Sequence, residues 1–530
     1  MSFFHSADAF AMIRGGHMLS WPLERYPEKI AIKFEGQEMT FRQVDDRINR
    51  LANGLIDLGL KKGDRVAALL DNSPRAIEVR FALMKAGLCM VALNVRQSAE
   101  ENAYIINHSE SSVVILDEDY LSAWELMKGH CKGVRHVVVA ARDPGSYLSY
   151  EKIIKTSSSN EPEVVVSLDD LERIAYTSGT TGRPKGVMKT IGNDLARLRN
   201  DFMNHDDLIT TEDIMLNVAP LTHAARALFH KYYIIGACNI ILRRFKEEEV
   251  LDTIQKERVT ATMFVPTMIV RLLLHPKVQE YDKSSLKRIF YGTAPMPADK
   301  LKLGIEIFGN IFRGNYGLTE ATQPVILISP VDLVIDEDEK QSRRLASAGR
   351  PALGIEVRIV NEKGEKTAPG EIGEILVRGE IVMKGYWKDP EATREVLKNG
   401  WLHTGDMAKV DEDGYITIVD RRKDMIISGG FNIYPREVER VIESHPGVQD
   451  VAVIGVPDDI WGEAVKALVV PKSQVKLTEE EIIELCKSQI GSYKKPKHVE
   501  FVENLPKNFQ GKIVKRVLRD QYWQGLNRRV

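Results

Sequence analysis

A chain of 530 residues with 43% hydrophobic and 28% charged content has the make-up of a folded globular protein, which excludes a disordered or fibrous one. At roughly 100–200 residues per domain, the length implies more than one domain and a large core. The 73 Lys and Arg nearly balance the 75 Asp and Glu, and a formal net charge of −2 gives no electrostatic case for nucleic acid as a partner. Cys89, Cys131, Cys238 and Cys486 are far apart and form no CxxC pair. Neither a disulfide framework nor a thiolate zinc site is expected, and a reducing, cytoplasmic setting fits.

The start of the chain lacks the basic-then-apolar order of a secretory signal, and its end carries no lipidation or peroxisomal signal. Residues 41–58 show helical spacing, with Val44, Ile48, Leu51, Leu55 and Leu58 on one face. A strand is expected over 65–70, a helix through Ile77, Phe81 and Met84, and further strands over 113–116 and 137–140. This rhythm is that of an α/β protein with a mainly parallel sheet. Residues 156–160 read as a surface loop ahead of a strand over 173–176. The most apolar stretch, 232–242, is interrupted by Asn239 and stopped by Arg243 and Arg244. A membrane span needs about 20 such residues, so this one reads as a core strand or helix. The acidic run 335–340 reads as another solvated loop.

Beyond about residue 350, short alternating runs over 355–360, 373–378 and 415–419 predict a β-rich subdomain. The charged run 420–424 has no apolar face and is a candidate linker. Past it, 436–444, 451–456, 467–470 and 479–487 supply the helices and strands of a small α+β domain.

The strongest local signal is Y-T-S-G-T-T-G-R-P-K-G, residues 176–186, directly after an apolar strand. Gly179, Gly182 and Gly186 let the backbone turn tightly and present N–H groups to an anion. Thr177, Ser178, Thr180 and Thr181 add hydroxyl donors and Lys185 a point charge. It is not a Walker A loop, because Pro184 precedes the Lys and Gly186 follows it. Three further strings stand out: N-Y-G-L-T-E at 315–320, expected after a strand over 310–312; W-L-H-T-G-D at 401–406; and Q-G-K-I-V-K-R at 510–516. Strand-end loops are where α/β sheets place ligands. A hard carboxylate such as Glu320 suits Mg²⁺ on phosphate oxygens, and a carboxylate such as Asp406 can accept two hydroxyl donors. Outside a shared context each would be a turn, a cap or a surface charge.

Together, and in this order, the strings resemble the motifs of the adenylate-forming superfamily: acyl-CoA synthetases, aryl-CoA ligases, luciferases and peptide-synthetase adenylation domains. The resemblance covers nearly the whole chain. It implies an α/β fold in which a large N-terminal domain, residues 1–420, combines two α/β sheet subdomains with a β-rich subdomain. A hinge over 421–424, centred on Lys423, would lead to a small mobile C-terminal α+β lid over 425–530. By resemblance the first string, from Thr177 through Ser178, Gly179, Thr180, Thr181, Gly182 and Lys185, binds the phosphates of ATP. Thr293, Ala294 and Pro295 in G-T-A-P line the adenine side, with Asn315, Tyr316 stacking on adenine, Gly317, and Thr319 at the α-phosphate. Glu320 holds Mg²⁺ with Thr177; Asp406 takes the ribose hydroxyls with Arg421 in support. Lys512 bridges the attacking carboxylate and the α-phosphate, where two anions must approach. Ser428, Gly429, Gly430 and Phe431 belong to the loop lining the CoA pantetheine tunnel.

The resemblance also places His223, as gate or base, with Ala224, Ala225, Gly292 and Gly314 around the acyl group, leaving a buried structural histidine as the alternative for His223. These positions are small, no Asp stands where amino-acid-adenylating relatives hold an ammonium, and no Trp precedes the Thr-Glu pair as in acetate-specific ones. A medium- or long-chain fatty acid or an aryl acid is therefore expected. Arg226 is expected to face solvent, with a second substrate carboxylate as its other reading. Residues 188–194, Asn315 and Asn432 depart from the family pattern. The implied activity is an ATP-dependent acyl-CoA synthetase of fatty acid metabolism, with ATP, Mg²⁺ and CoA. Alternatives are an enzyme loading a carrier protein, a luciferase-like oxygenase and a silent nucleotide sensor. The oligomeric state is open, a homodimer being one alternative.

Overall fold

The computed structural model describes residues 12–14, 17–177, 184–204, 208–222, 225–333, 335, 344–428, 431–507 and 512–524. The chain divides into two compact units: residues 1–356 with 377–402, and residues 357–376 with 403–530.

In the first unit, helix Phe41–Asp57 begins at a Thr40–Gln43 capping box and turns Val44, Ile48, Leu51 and Leu55 into the core. Helix Pro74–Lys85 starts with proline in its first turn, where a missing N–H costs nothing. These helices pack on an eight-stranded sheet whose centre is parallel: Arg65–Leu69 between Cys89–Ala92 and Ser111–Asp117, then His136–Ala140. Leu171–Thr177 adds in parallel beside Cys89–Ala92, and Lys185–Thr190 and Gly385–Tyr386 close that edge antiparallel.

The second sheet of this unit has nine strands. Ile30–Phe34, Cys238–Ile241, Ile214–Asn217, Ala261–Phe264, Arg288–Gly292 and Phe312–Tyr316 run parallel, so Ile30–Phe34, with Gln37–Thr40 antiparallel at its outer edge, completes a sheet otherwise built after residue 200. Residues 232–242 are neither one strand nor one helix. They hold the end of helix Ala225–Ile235, a turn at Gly236 with φ of 91°, and strand Cys238–Ile241. All four cysteines are free and buried. Among the described residues no helix is long and apolar enough to cross a membrane.

In the second unit, strand Trp401–Val410 pairs antiparallel with Ile416–Arg421. A separate sheet runs Phe431–Ile433, Ile426–Ser428, Gly462–Pro471, Val448–Asp458, with His498–Phe501 paired to Gly462–Pro471. One face packs Val451, Val453 and Val465 against Val438 and Ile442 of helix Pro435–Glu443 and Ile482 and Cys486 of helix Glu479–Gln489. The other packs Ala452, Ile454 and Leu468 under Leu505 and Leu518. Alternating apolar residues on Val448–Asp458 thus feed two cores, the α+β pattern expected for this region.

Candidate active site

The ends of two neighbouring parallel strands position the first group of residues. Gly292 of Arg288–Gly292 is in register with Asn315 of Phe312–Tyr316, so Thr293, Ala294 and Pro295 leave the sheet beside Tyr316 and Gly317. The strand expected to end at 312 instead begins there, and Asn315 and Tyr316 are its last residues. Thr293 holds a left-handed φ of 69°, and its buried Oγ1 makes no hydrogen bond. A non-glycine residue there is strained by about 1–3 kcal/mol.

The glycines expected to open room for an acyl group have a second duty. A Cβ on Gly292 would lie 2.4 Å from Asn315 O of the next strand, and one on Gly314 2.7 Å from Ile328 Cγ2 and Tyr291. Strand packing requires their smallness whatever the substrate.

Glu320 is held from two sides. Its backbone carbonyl accepts from Met383 N at 2.7 Å and from Lys189 Nζ at 3.3 Å, and its Oε1 accepts from the Tyr386 hydroxyl at 2.9 Å. The Lys185 ammonium lies 5.1 Å from the centre of the same Tyr386 ring, within cation–π range. Lys185 faces Thr177 across the antiparallel pair, so the described ends of the glycine-rich string lie on neighbouring strands. Ser178, Gly179, Thr180, Thr181 and Gly182 lie outside the described residues, as do His223 and Ala224. Tyr386 and Lys189 had no signal in the sequence: they stand 66 and 131 residues from Glu320.

Arg226 does not face solvent. It is 6% exposed, packed among Arg80, Asp194 and Glu172, because helix Ala225–Ile235 turns it toward the first sheet. Ala225 beside it is buried on the opposite side, against Met215 and Phe290.

In the second unit Asp406 and Arg421 are cross-strand partners, and Asp406 Oδ1 meets Arg421 Nε at 3.0 Å. Asp406 is a strand residue, although the turn-prone Gly405 before it keeps φ at 71°. Lys512 lies within electrostatic reach of this pair. Burial and the Arg421 charge push its ammonium down to about 8, against a smaller opposing pull from Asp406. Its neighbours are pinned: Ile513 bridges to Lys507, and Lys515 Nζ lies 2.7 Å from buried Glu439 Oε1. Lys423, in the short turn Arg422–Asp424, is half-buried, and burial and Arg421 hold it below the ordinary lysine range. Ser428 pairs with Phe431 across a hairpin whose Gly429 and Gly430 lie outside the described residues. Phe431 is exposed, its ring 4.9 Å from that of Tyr493.

These groups fit a magnesium nucleotide. Among the described residues no three acidic, His or Cys side chains form a metal cage, and Mg²⁺ is usually held by one or two carboxylates together with substrate phosphates and waters. Glu320, held by the Tyr386 hydroxyl, is a carboxylate of that kind, and Thr177 a hydroxyl on the strand paired with Lys185.

The family model described as AMP-binding enzyme matches residues 19–387, and that described as AMP-binding enzyme C-terminal domain matches residues 437–512. The feruloyl-CoA synthase of Amycolatopsis sp is 38% identical over 509 residues, covering 95% of this chain and 98% of that one. The medium/long-chain-fatty-acid–CoA ligase FadD8 of Mycobacterium tuberculosis is 34% identical, over 97% of this chain and 91% of its own. Among solved structures, the anthranilate CoA ligase AuaEII in complex with anthranoyl-AMP superposes with a TM-score of 0.87 at 28% identity, over 98% and 99% of the two chains.

Proposed function

This chain belongs to the AMP-binding enzyme family and is an AMP-forming acyl-CoA ligase, and from that premise we propose that it activates an aryl or a medium- to long-chain fatty carboxylic acid. Carboxylic acid, ATP and CoA are its substrates. In the first half-reaction a carboxylate oxygen bonds to the α-phosphorus of ATP, the bond to the β-phosphate breaks, and pyrophosphate leaves. In the second, the CoA sulfur bonds to the acyl carbon, the acyl–oxygen bond to AMP breaks, and the thiol proton passes to solvent.

The observation that carries the site assignment is the placement of Glu320 and Lys185 on one phenol, that of Tyr386. Glu320, with Thr177, is the magnesium ligand, and magnesium bound there neutralises phosphate charge. Lys185 and Ser178, Gly179, Thr180, Thr181 and Gly182 hold the phosphates, and Thr319 meets the α-phosphate. Thr293, Ala294, Pro295, Asn315, Tyr316 and Gly317 hold the adenine, the Thr293 hydroxyl gaining the partner it lacks. Asp406 accepts the ribose hydroxyls beside Arg421. Lys512 stabilises the two anions as they meet. His223, Ala224, Ala225, Gly292 and Gly314 surround the acyl group, with His223 as its gate.

A hinge over 421–424 at Lys423 separates a body, residues 1–420, from a lid, residues 425–530, which turns between half-reactions and brings Ser428, Gly429, Gly430 and Phe431 to the CoA arm. The cytoplasm supplies all three substrates and is the proposed compartment; nucleic acid has no part, and a homodimer is compatible with the chemistry.

Pyrophosphate release from ATP across fatty, aryl and dicarboxylic acids, with and without CoA, tests the reading. Release that depends on one acid class, rises with CoA and yields a thioester with free CoA is expected. Acid-dependent release indifferent to CoA would assign the acceptor to a carrier protein, and silence with every acid would overturn the reading.

A further inference from the structure

Helix Ala99–His108 ends beside the glycine-rich string and holds it at both described ends. A Ser98–Glu101 capping box opens the helix. At its close Arg65 donates from Nε to the Ser109 carbonyl at 3.0 Å and from Nη2 to the Glu110 carbonyl at 3.1 Å. Tyr104 and His108, four residues apart, share one face, with rings stacked 5.4 Å apart. His108 Nδ1 lies 2.8 Å from the hydroxyl of Tyr176, where the string begins. The Tyr104 hydroxyl donates to the Pro184 carbonyl at 3.4 Å, near the string's other end. The His108 carbonyl accepts from Trp387 Nε1 at 3.0 Å, and Trp387 N in turn donates to the Gly186 carbonyl at 2.7 Å.

The fit around Gly186 is close. A Cβ there would lie 2.8 Å from Ile174 Cγ2, 3.1 Å from Tyr176 Cζ and 3.3 Å from Trp387 Cβ, so the two aromatic residues meet the string this tightly only because glycine stands between them. Burial raises the Tyr176 phenol from its ordinary value, and burial with the Lys388 charge lowers the His108 imidazole from its own. The two therefore meet as neutral groups near pH 7.

Sheet pairing does not call for these ties. Strands Leu171–Thr177 and Lys185–Thr190 are already in antiparallel register as far as Thr177 and Lys185. The added contacts fall at the open end of that pair, where a run rich in Gly and Thr leaves the sheet. Such a run has much backbone freedom to lose when it closes on an anion, and clamping its ends removes part of that cost before the ligand arrives. Next to Trp387, the Tyr386 hydroxyl donates to Glu320 Oε1 and the Tyr386 ring lies 5.1 Å from the Lys185 ammonium. The helix end therefore also bears on the lysine and the carboxylate assigned above to phosphate and metal.

We propose that His108 is a positioning residue for ATP, which through Tyr176 and Trp387 fixes both ends of the glycine-rich string in the form that receives the phosphates. This rests on that string being the phosphate site of the reading above, and it gives His108 no contact with any substrate. Acid and CoA are received elsewhere, so their binding does not depend on it. A brace that served only the sheet would instead lower both half-reactions alike, through loss of folded enzyme.

The test measures KM for ATP in acid-dependent pyrophosphate release, with thioester formation from supplied acyl-adenylate and CoA as a second readout. Tyr176→Phe and His108→Leu should each raise KM for ATP roughly fivefold to tenfold, the value of one hydrogen bond, while KM for the acid and the rate from acyl-adenylate hold. His108→Asn, which keeps an amide near the place of Nδ1, should recover most of the loss. Tyr176→Phe combined with His108→Leu should cost little more than either alone, because both remove the same contact. An unmoved KM for ATP in both single variants, additive effects in the double variant, or equal loss of both half-reactions would overturn the proposal. Lys185→Ala checks the phosphate site separately. If it leaves KM for ATP unchanged, that reading falls and the proposal with it; if it raises KM while the His108 and Tyr176 variants do not, the proposal alone falls.

Discussion

In the role proposed for it, Lys512 must be a cation to draw a carboxylate and a phosphate together, yet burial beside Arg421 lowers its affinity for a proton to a pKa of about 8. The sign follows directly: protonated and competent below that value, neutral above it. Adenylation kcat/KM is therefore expected to fall as pH rises through about 8, because that ratio reports the free enzyme's groups. Arg421→Gln removes the repelling charge and should move the falling limb to higher pH. A profile flat to pH 9.5, or a limb unmoved by Arg421→Gln, would remove Lys512 from the role. At Tyr386 the expectation concerns the metal. Tyr386→Phe keeps the ring under Lys185 but loses the hydroxyl that orients Glu320, and the Mg²⁺ concentration for half-maximal rate should rise roughly tenfold, the value of one hydrogen bond to a charged group. An unchanged Mg²⁺ dependence would contradict this. The strings containing Lys512, Glu320 and Asp406 were legible because each packs its chemistry into six or seven consecutive residues. Tyr386, Lys189 and the burial of Arg226 were not, because each depends on a partner brought from 66 to 192 positions away by sheet pairing and helix packing.

The paired strands Arg288–Gly292 and Phe312–Tyr316 carry much of the proposed nucleotide side, and their close approach is what their glycines permit. Gly292→Ala would drive a methyl to within 2.4 Å of Asn315 O, so the strands must shift. A loss of about 1–3 kcal/mol is expected, read from the denaturant midpoint, together with weakened ATP binding. Unaltered stability would show that the pair yields freely. Periodicity placed most elements within a few residues, as with helix Phe41–Asp57 and strand Arg65–Leu69. It failed where period gives no answer. Residues 232–242 are apolar throughout, and only the left-handed turn at Gly236 divides helix from strand. The start of strand Phe312–Tyr316 was misplaced for a related reason, since polar Asn315 and Tyr316 look like loop, but Asn315 is paired on both sides and Tyr316 on one.

At the scale of the whole molecule, the first unit carries Lys185, Glu320 and the paired strand ends, and the second carries Asp406, Arg421 and Lys512. The α/β and α+β classes of these regions could be read from the alternation of strand and helix. That strand Ile30–Phe34 joins the sheet built after residue 200 could not, because strand order is set by long-range pairing. The proposed lid turning about Lys423 would make the two half-reactions separable. Lys423→Pro fixes φ at the hinge, and should leave acyl-adenylate formation intact while slowing its transfer to CoA. Equal slowing of both steps would argue against a hinge there.

The most direct measurement is the two half-reactions of Lys512→Ala followed separately, with acyl-adenylate formed from acid and ATP in one and thioester formed from supplied acyl-adenylate and CoA in the other. The account predicts that the first is lost while the second stays near the wild-type rate. Loss of both together, or survival of the first, would contradict it.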